Sequence, residues 1–509
     1  MAQRAVAIVP RWPGALSGAL VLALTLGTLA AVAWRAQWAS GLSAADWAAI
    51  RFTVTQALVS AGLSVILAIP VARALARRQF QGRGALITLL GAPFLLPVIV
   101  AVLGLLAVFG RGGVVNDGLA MLGLPPISIY GFHGVILAHV FFNLPLATRL
   151  ILQGWLSIPA ERFRLAATLN TPVWHFLEKP MLRAVVPGIF LVIFLICLTS
   201  FAVALTLGGG PRATTVELAI YQALRFDFDL GRAAMLAAVQ FGLCGIATII
   251  TWRVTGHDGL SGGMDRVVQR WDLPRPLWDG IVMAAAALFL ILPLAMVFLN
   301  GLPGIFDMPG VVWAAAWRSV LVATISAILC IMMSVALALS SHRWATLIGA
   351  LPLAASGLVV GTGAFLIVFP FVRPSSLALV VTALVNATLA LPFVLRAILP
   401  AVADVNRDYQ RLGATLGFGL WPWLRIVVLP RIRRPLGFGA GIAAALSMGD
   451  LGVITLFAGE SQATLPLAMY RLMGAYQIEA AASTGLLLLL LSLTMFWICD
   501  RGGRAHVAV

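Results

Sequence analysis

"RLAATLN" fills residues 164–170, and "RLGATLG" fills residues 411–417. The offset of 247 holds well beyond these seven positions: Leu144, Pro145 and Arg149 fall on Leu391, Pro392 and Arg396, and Trp174 falls on Trp421. A register kept over 30 residues marks a duplicated unit rather than shared composition. Farther along, Thr215, Ala219 and Tyr221 match Thr464, Ala468 and Tyr470 at an offset of 249. The chain therefore reads as two fused halves, residues 1–257 and 276–509, joined by a linker at 258–275.

The surroundings of the repeat are apolar. Of 509 residues, 61% are hydrophobic and 10% are charged, with a mean hydropathy of +1.01, far from the balance of a soluble domain. Runs able to cross about 30 Å of hydrocarbon lie near 14–34, 52–72, 84–109, 132–152, 184–207, 233–252, 278–299, 319–340, 345–371, 376–395, 435–458 and 481–499. The expectation is an all-α integral membrane protein of about twelve transmembrane helices in two six-helix halves. An even number per half starts both halves on the same face, so the repeat is parallel and its pseudo-two-fold axis runs along the membrane normal.

The net charge of +16 is spread as punctuation between apolar runs, which argues against a nucleic-acid partner. Segments 73–83, 149–183, 253–275, 343 and 396–434, with both tails, hold 25 of the 34 Lys and Arg residues. The positive-inside rule then puts both termini in the cytoplasm. Arg4, Arg11 and the Ala31-Val32-Ala33 stretch give the first run some look of a signal peptide. Its length, and the run at 278–299 in the matching place, favour a retained helix.

Segments 149–183 and 396–434 are long for cytoplasmic connections. Each should carry a short amphipathic helix with a small-residue face, closed by Asn170 or Gly417, residues that tolerate the left-handed conformation. Two readings of such a helix stand side by side: docking into a groove on another protein, or lying on membrane lipid with help from Trp174, Trp421 and Trp423.

These segments resemble the EAA loop of binding-protein-dependent ABC importer permeases, a Glu-Ala-Ala start, a Gly after three more residues, and an apolar close in Leu-Pro. "RLGATLGFGLWPWLRIVVLP" (411–430) keeps Gly417 and Leu429-Pro430 at that spacing, with Arg411 in place of Glu and Gly413 in place of the second Ala. "RLAATLNTPVWHFLEKP" (164–180) has Arg164 for Glu, Asn170 for Gly, and its Pro three residues early. The resemblance implies a type I importer permease of MetI-like fold, with two copies of a cytoplasmic ABC ATPase docking on Arg164, Ala166, Ala167, Leu169 and Asn170, and on Arg411, Gly413, Ala414, Leu416 and Gly417. Consistent with a separate ATPase, the only Lys is Lys179 and no Gly-Lys pair exists to form a P-loop.

"SFAVALTLGGGPRATTVELAIYQALRFDFDLGRAAML" (200–236) and "LSMGDLGVITLFAGESQATLPLAMYRLMGAYQ" (446–477) further resemble thiamine (vitamin B1) transport permeases of Gram-negative bacteria. That implies a bacterial inner-membrane location, a periplasmic solute-binding protein as partner, and thiamine or its phosphate esters as substrate. The alternative is the same importer class carrying another small solute such as ferric iron or a polyamine.

In each stretch a Gly-rich turn (Gly208, Gly209, Gly210; Gly449, Gly452, Gly459) precedes a helix bearing Tyr221 or Tyr470. This is an outer gate, a docking surface, or a structural loop cap. Asp227 and Asp229 offer negative charge to a cationic solute or simply begin a helix. Asp450, an acid inside a span, either lines a cation path or caps a helix break at Gly449 and Gly452, and its counterpart is Val203. His133 and His139, six apart, face different ways and read as hydrogen-bonded core residues. The four cysteines sit singly in apolar runs and read as small hydrophobes. No cofactor motif, metal-ligand spacing or catalytic cluster argues for an enzyme, and the scarcity of acids in the spans argues against an ion-coupled carrier.

Overall fold

The computed structural model describes residues 10, 12–38, 41–91, 96–208, 210, 213–254, 276–340 and 343–504. The linker 258–275 and Gly209 lie outside the described residues. Among the described residues all regular structure is helical. Eleven helices are long and apolar enough to cross a membrane, and the pair Leu347–Ala354 and Gly357–Val368, bent by 93°, makes a twelfth if counted as one span.

The contacts gather into two compact units. Unit I comprises residues 42–218 and 243–300; unit II comprises 1–41, 219–242 and 301–509. Sequence repeats and packing units thus divide the chain differently. The helix α1 (Trp12–Arg35), first in the chain, belongs to unit II, and the helix that opens the second repeat at Pro276–Gly301 belongs to unit I. Both packings are close. A Cβ on Gly14 of α1 would meet the Ser340 Cβ at 2.6 Å, and one on Gly104 would collide with the Pro293 carbonyl. Such contact between backbones is how helices gain attraction where no hydrophobic effect separates helix from lipid.

In unit I, α2 (Ala44–Arg77) opens with a capping box in which Ser43 and Asp46 each accept the other's backbone N–H. Its buried face of Ala57, Ala61, Ala68 and Ala72 packs along α6 (Phe132–Leu156) and α8 (Trp174–Leu198). The apolar run at 84–109 forms two helices, α3 (Arg83–Leu89) and α4 (Val98–Phe109), because Pro97 favours extended backbone ahead of it. After α4 come α5 (Val114–Met121), before α6, and α7 (Ala160–Thr168), before α8. The run beyond α8 is broken at Thr199 before α9 (Ala202–Leu207), and α10 (Val216–Arg225), α11 (Leu230–Val254) and α12 (Pro276–Gly301) follow.

Unit II repeats the pattern. Here α13 (Gly310–Leu339) packs along α16 (Ala378–Thr415) and α17 (Arg433–Met448). Between α13 and α16 the bent span holds α14 (Arg343–Ala350) and α15 (Gly357–Val368), the latter capped by the Ser356 hydroxyl on the Val359 N–H. The chain then breaks again after α17, at Gly449, before α18 (Gly452–Phe457), and ends in α19 (Leu465–Gly474) and α20 (Ile478–Arg504). One departure concerns length. The tenth apolar run, expected to end near 395, continues as a single helix to Thr415.

The repeat reaches individual hydrogen bonds. The Val216 N–H donates to the Thr53 hydroxyl at 2.8 Å, and the Leu465 N–H donates to the Ser319 hydroxyl at 2.8 Å. Each N–H opens a helix, so it has no intrahelical acceptor, and each acceptor is a buried side chain on a neighbouring span. Thr53→Val and Ser319→Ala should each cost about 1 kcal/mol by orphaning a buried N–H, read as similar falls in thermal stability of the detergent-purified protein.

Candidate functional site

Helix α7 and the last turns of α16 carry the repeated stretch, and both end in the same geometry. The Thr171 N–H donates to the Ala166 carbonyl and the Asn170 N–H to the Ala167 carbonyl; Phe418 and Gly417 do the same to Gly413 and Ala414. Asn170 has φ 49° and Gly417 has φ 66°, so both are left-handed caps of the Schellman kind. The small-residue face divides. Ala166 and Gly413 are buried, whereas Arg164, Ala167, Arg411 and Ala414 are exposed. The bare apolar groups are leucines: Leu165 and Leu169 are 58% and 62% exposed, and Leu412 and Leu416 are 55% and 60% exposed. Leu165 and Leu412 belong with the paired residues because the repeat itself aligns them.

The two helices are mounted differently. In unit I, α6 stops at Leu156, and Pro159 precedes a fresh start of α7; in unit II the position equivalent to Pro159 is Asn406 and the helix runs through it. Each helix is followed by a π-helical turn, Trp174–Glu178 or Trp423–Val428. The first turn buries Glu178 completely, with an ion pair of 2.6 Å to Arg73 Nη2 and a 3.2 Å hydrogen bond from Trp155 Nε1. The Arg73 guanidinium lies 5.3 Å from the Trp174 ring centre. Reading the sequence did not single out Glu178, although a lone acid flanked by aromatic and basic residues at a helix start was a visible signal.

At the far end of the spans, Tyr221 on α10 is buried and Tyr470 on α19 is half-buried. Burial raises both phenols above their usual range, against the pull of Arg225 and Arg471 on Tyr221 and reinforced by Tyr221 itself at Tyr470. Both therefore stay neutral at physiological pH. Within unit II, Arg225 donates to the Ala458 carbonyl at 3.3 Å and Arg471 to the Gly459 carbonyl at 3.1 Å, so the turn between α18 and α19 is fastened by two arginines. Gly208 has no room for a side chain, since a Cβ would meet the Ala213 carbonyl oxygen at 2.8 Å, and Gly210 is left-handed at φ 126°.

Asp450 caps the break it sits in, its Oδ1 accepting from Gly452 N at 3.1 Å and Val453 N at 3.4 Å. Its Oδ2 is enclosed with no hydrogen-bond donor in bonding geometry. Beside it runs a polar chain in which Asn386 donates to the Ser447 hydroxyl at 3.1 Å and Ser447 to the Ser326 hydroxyl at 3.0 Å. In unit I the place matching Asn386 holds His139, whose Nδ1 is 3.3 Å from the Ser60 hydroxyl, and one turn farther along α6 Asn143 donates to the Cys197 sulfur at 3.3 Å. His133 instead bonds the Ser128 carbonyl. Asp227 pairs with Arg232 at 3.3 Å, and Asp229 accepts from the Arg232 N–H at 2.9 Å as a helix-start residue. Cys197, Cys244 and Cys330 are buried thiols outside any disulfide, and among the described residues no His, Cys, Asp and Glu cluster is suited to a metal.

No family model matches the chain. The thiamine transport system permease protein ThiP of Salmonella typhimurium is 38% identical to it over 99% of both chains, and that of Escherichia coli is 38% identical over 98% of both. The chain belongs to the ThiP permease family. The ThiP of Haemophilus influenzae is 34% identical over 88% of this chain. A sulfate transport system permease protein, CysW of Synechocystis, is 25% identical over 41% of this chain but 78% of its own length, which matches a ThiP chain built from two permease-sized halves. A ThiP-family chain with these spans is a multi-pass inner-membrane transport protein of the MetI-like type I importer class.

The caps give a direct prediction. Gly417→Val should destabilise the end of α16 by about 1–2 kcal/mol, since a branched residue resists the left-handed region. Asn170→Gly should leave α7 at least as firm. Hydrogen exchange across 411–418 and 164–171 reads both outcomes.

Proposed function

We propose that this chain is the membrane permease of an ATP-driven importer that takes thiamine or its phosphate esters from a periplasmic binding protein to the cytoplasm, with both termini cytoplasmic. Two copies of a cytoplasmic ABC ATPase dock on it, one on α7 and one on the end of α16, and the chain hydrolyses no ATP itself. The observation that carries the reading is the duplicated helix end, with the same left-handed cap and the same two bare leucines. A pair of exposed leucines on a short helix suits a groove in a partner protein, and two equivalent copies suit two equivalent partners. Substrate assignment leans on the ThiP relatives, thiamine transport permeases that match this chain along 87% or more of their length.

Leu169→Asp with Leu416→Asp should abolish copurification of the ATPase with a detergent-purified, still monodisperse permease. Retained copurification would favour the lipid-surface role of these helices, to which the 78% exposed Trp421 is suited. Calorimetry of the cognate binding protein with thiamine, thiamine pyrophosphate and unrelated cations then separates the substrate candidates.

Within this reading Gly208, Gly209, Gly210, Tyr221 and Tyr470 form the outer gate, and the Asp450 carboxylate, enclosed beside Asn386, supplies negative charge along the path of a cationic solute. Asp450→Asn keeps an oxygen for the Gly452 and Val453 N–H groups while deleting the charge. Uptake of thiamine should fall roughly tenfold, the scale of one lost charged interaction, with thermal stability and ATPase copurification unchanged. Full uptake by this variant would reduce Asp450 to a helix cap.

A further inference from the structure

We infer that Glu178 is a positioning residue that couples the first docking helix to the membrane part, replacing a mechanical link that the second docking helix has through its backbone. The inference rests on the proposed ATPase docking. In unit II the docking turns are the end of α16, a single helix of 38 residues whose other end lies among the spans. Displacement of such a rod at one end moves the other end with it. In unit I that rod is cut at Ser157, Ile158 and Pro159, so α7 has no helical connection to α6.

The Glu178 carboxylate bridges the cut. It belongs to the turn that follows the α7 cap, and its two oxygens engage two different spans, Oε2 with Arg73 of α2 and Oε1 with Trp155 of α6. Glu178 is 0% exposed and Trp155 is 1% exposed, while the Arg73 side chain keeps 30% exposure, so it is the carboxylate end of these contacts that is shielded from water and salt. The π-helical turn sets this up, because its extra residue re-aims Glu178 inward and puts the Trp174 ring against the Arg73 guanidinium.

Stability alone does not account for the pair. The register that aligns Thr53 with Ser319 and Ser60 with Ser326 puts Leu339 opposite Arg73, and the second π-turn, which has no acid, ends on Val428 where the first ends on Glu178. Both are buried and apolar, and a packed apolar pair is usually at least as stable as a buried ion pair. What the ion pair adds is direction: a carboxylate held from two sides transmits displacement in a way that sliding apolar contact does not. The unit with the cut helix carries the ion pair, and the unit with the continuous helix does without it.

The test uses the full permease with its ATPase and binding protein in proteoliposomes, reading thiamine uptake per ATP hydrolysed. Glu178→Gln should preserve ATPase copurification and basal hydrolysis while uptake per ATP falls at least about fivefold, the lower range of allosteric couplings. Arg73→Leu with Glu178→Val, copying unit II, should keep thermal stability and show the same fall. Adding Pro159→Asn, which copies Asn406 and allows the helix to run on, should recover much of the ratio. An unchanged ratio in Glu178→Gln overturns the inference, as does a fall matched by equal loss of copurification, which would make Glu178 a docking or folding residue. Should the unaltered permease fail to retain the ATPase, the docking proposal itself fails, an outcome separate from these.

Discussion

A backbone N–H or carbonyl inside hydrocarbon has no water to turn to, and each place where this chain interrupts a membrane helix is governed by that constraint. The breaks are numerous, after α8, after α17 and within the bent span before α16. Two of these breaks, and two later helix starts, are furnished with a side chain that takes up a freed donor. Asp450 accepts from Gly452 and Val453, Ser356 from Val359, Thr53 from Val216 and Ser319 from Leu465. The small polar residues buried among the spans are thus the condition for bending the chain there. Asp450 meets that condition with one oxygen and has a second to spare, which is why the same residue can be both a cap and a candidate for the solute path.

Much of this was legible beforehand. Apolar run length located the spans, because hydrocarbon thickness fixes how many residues a helix needs. The 247-residue register located both short repeated helix ends and their caps, since a helix end needs a left-handed residue and Asn170 and Gly417 are suited to supply it. Helix ends inside apolar runs were harder to see. The run at 376–395 conceals that its helix continues through polar residues to Thr415, because hydropathy reports the solvent around a helix and not its hydrogen bonds. Likewise 84–109 reads as one span and folds as two pieces. Which of the small residues on these helices turn inward was not legible, because that depends on packing against the rest of the unit, and Ala166 and Gly413 do. Glu178 passed unnoticed because its partner Arg73 is 105 residues away in sequence.

Duplication followed by divergence has left one unit with a continuous helix and apolar packing at the repeated helix end, the other with a cut helix and the Arg73–Glu178 ion pair. The hydrogen bonds made by Thr53 and Ser319 remain interchangeable, because the orphaned N–H they satisfy is imposed by backbone geometry. The mounting of the repeated helix ends has drifted, because more than one construction can hold a short helix to a span.

The exchange of first helices has a consequence for how the protein is made. Helix α1 leaves the ribosome early, yet the spans of unit II it packs against begin at Gly310. At about 5–20 residues per second of synthesis, that is a wait on the order of tens of seconds, during which α1 has only lipid for company. Unit I is likewise incomplete until α12, the first helix of the second repeat, has been inserted. Neither repeat can mature while the other is missing, so the single polypeptide makes the two inseparable from biogenesis onward.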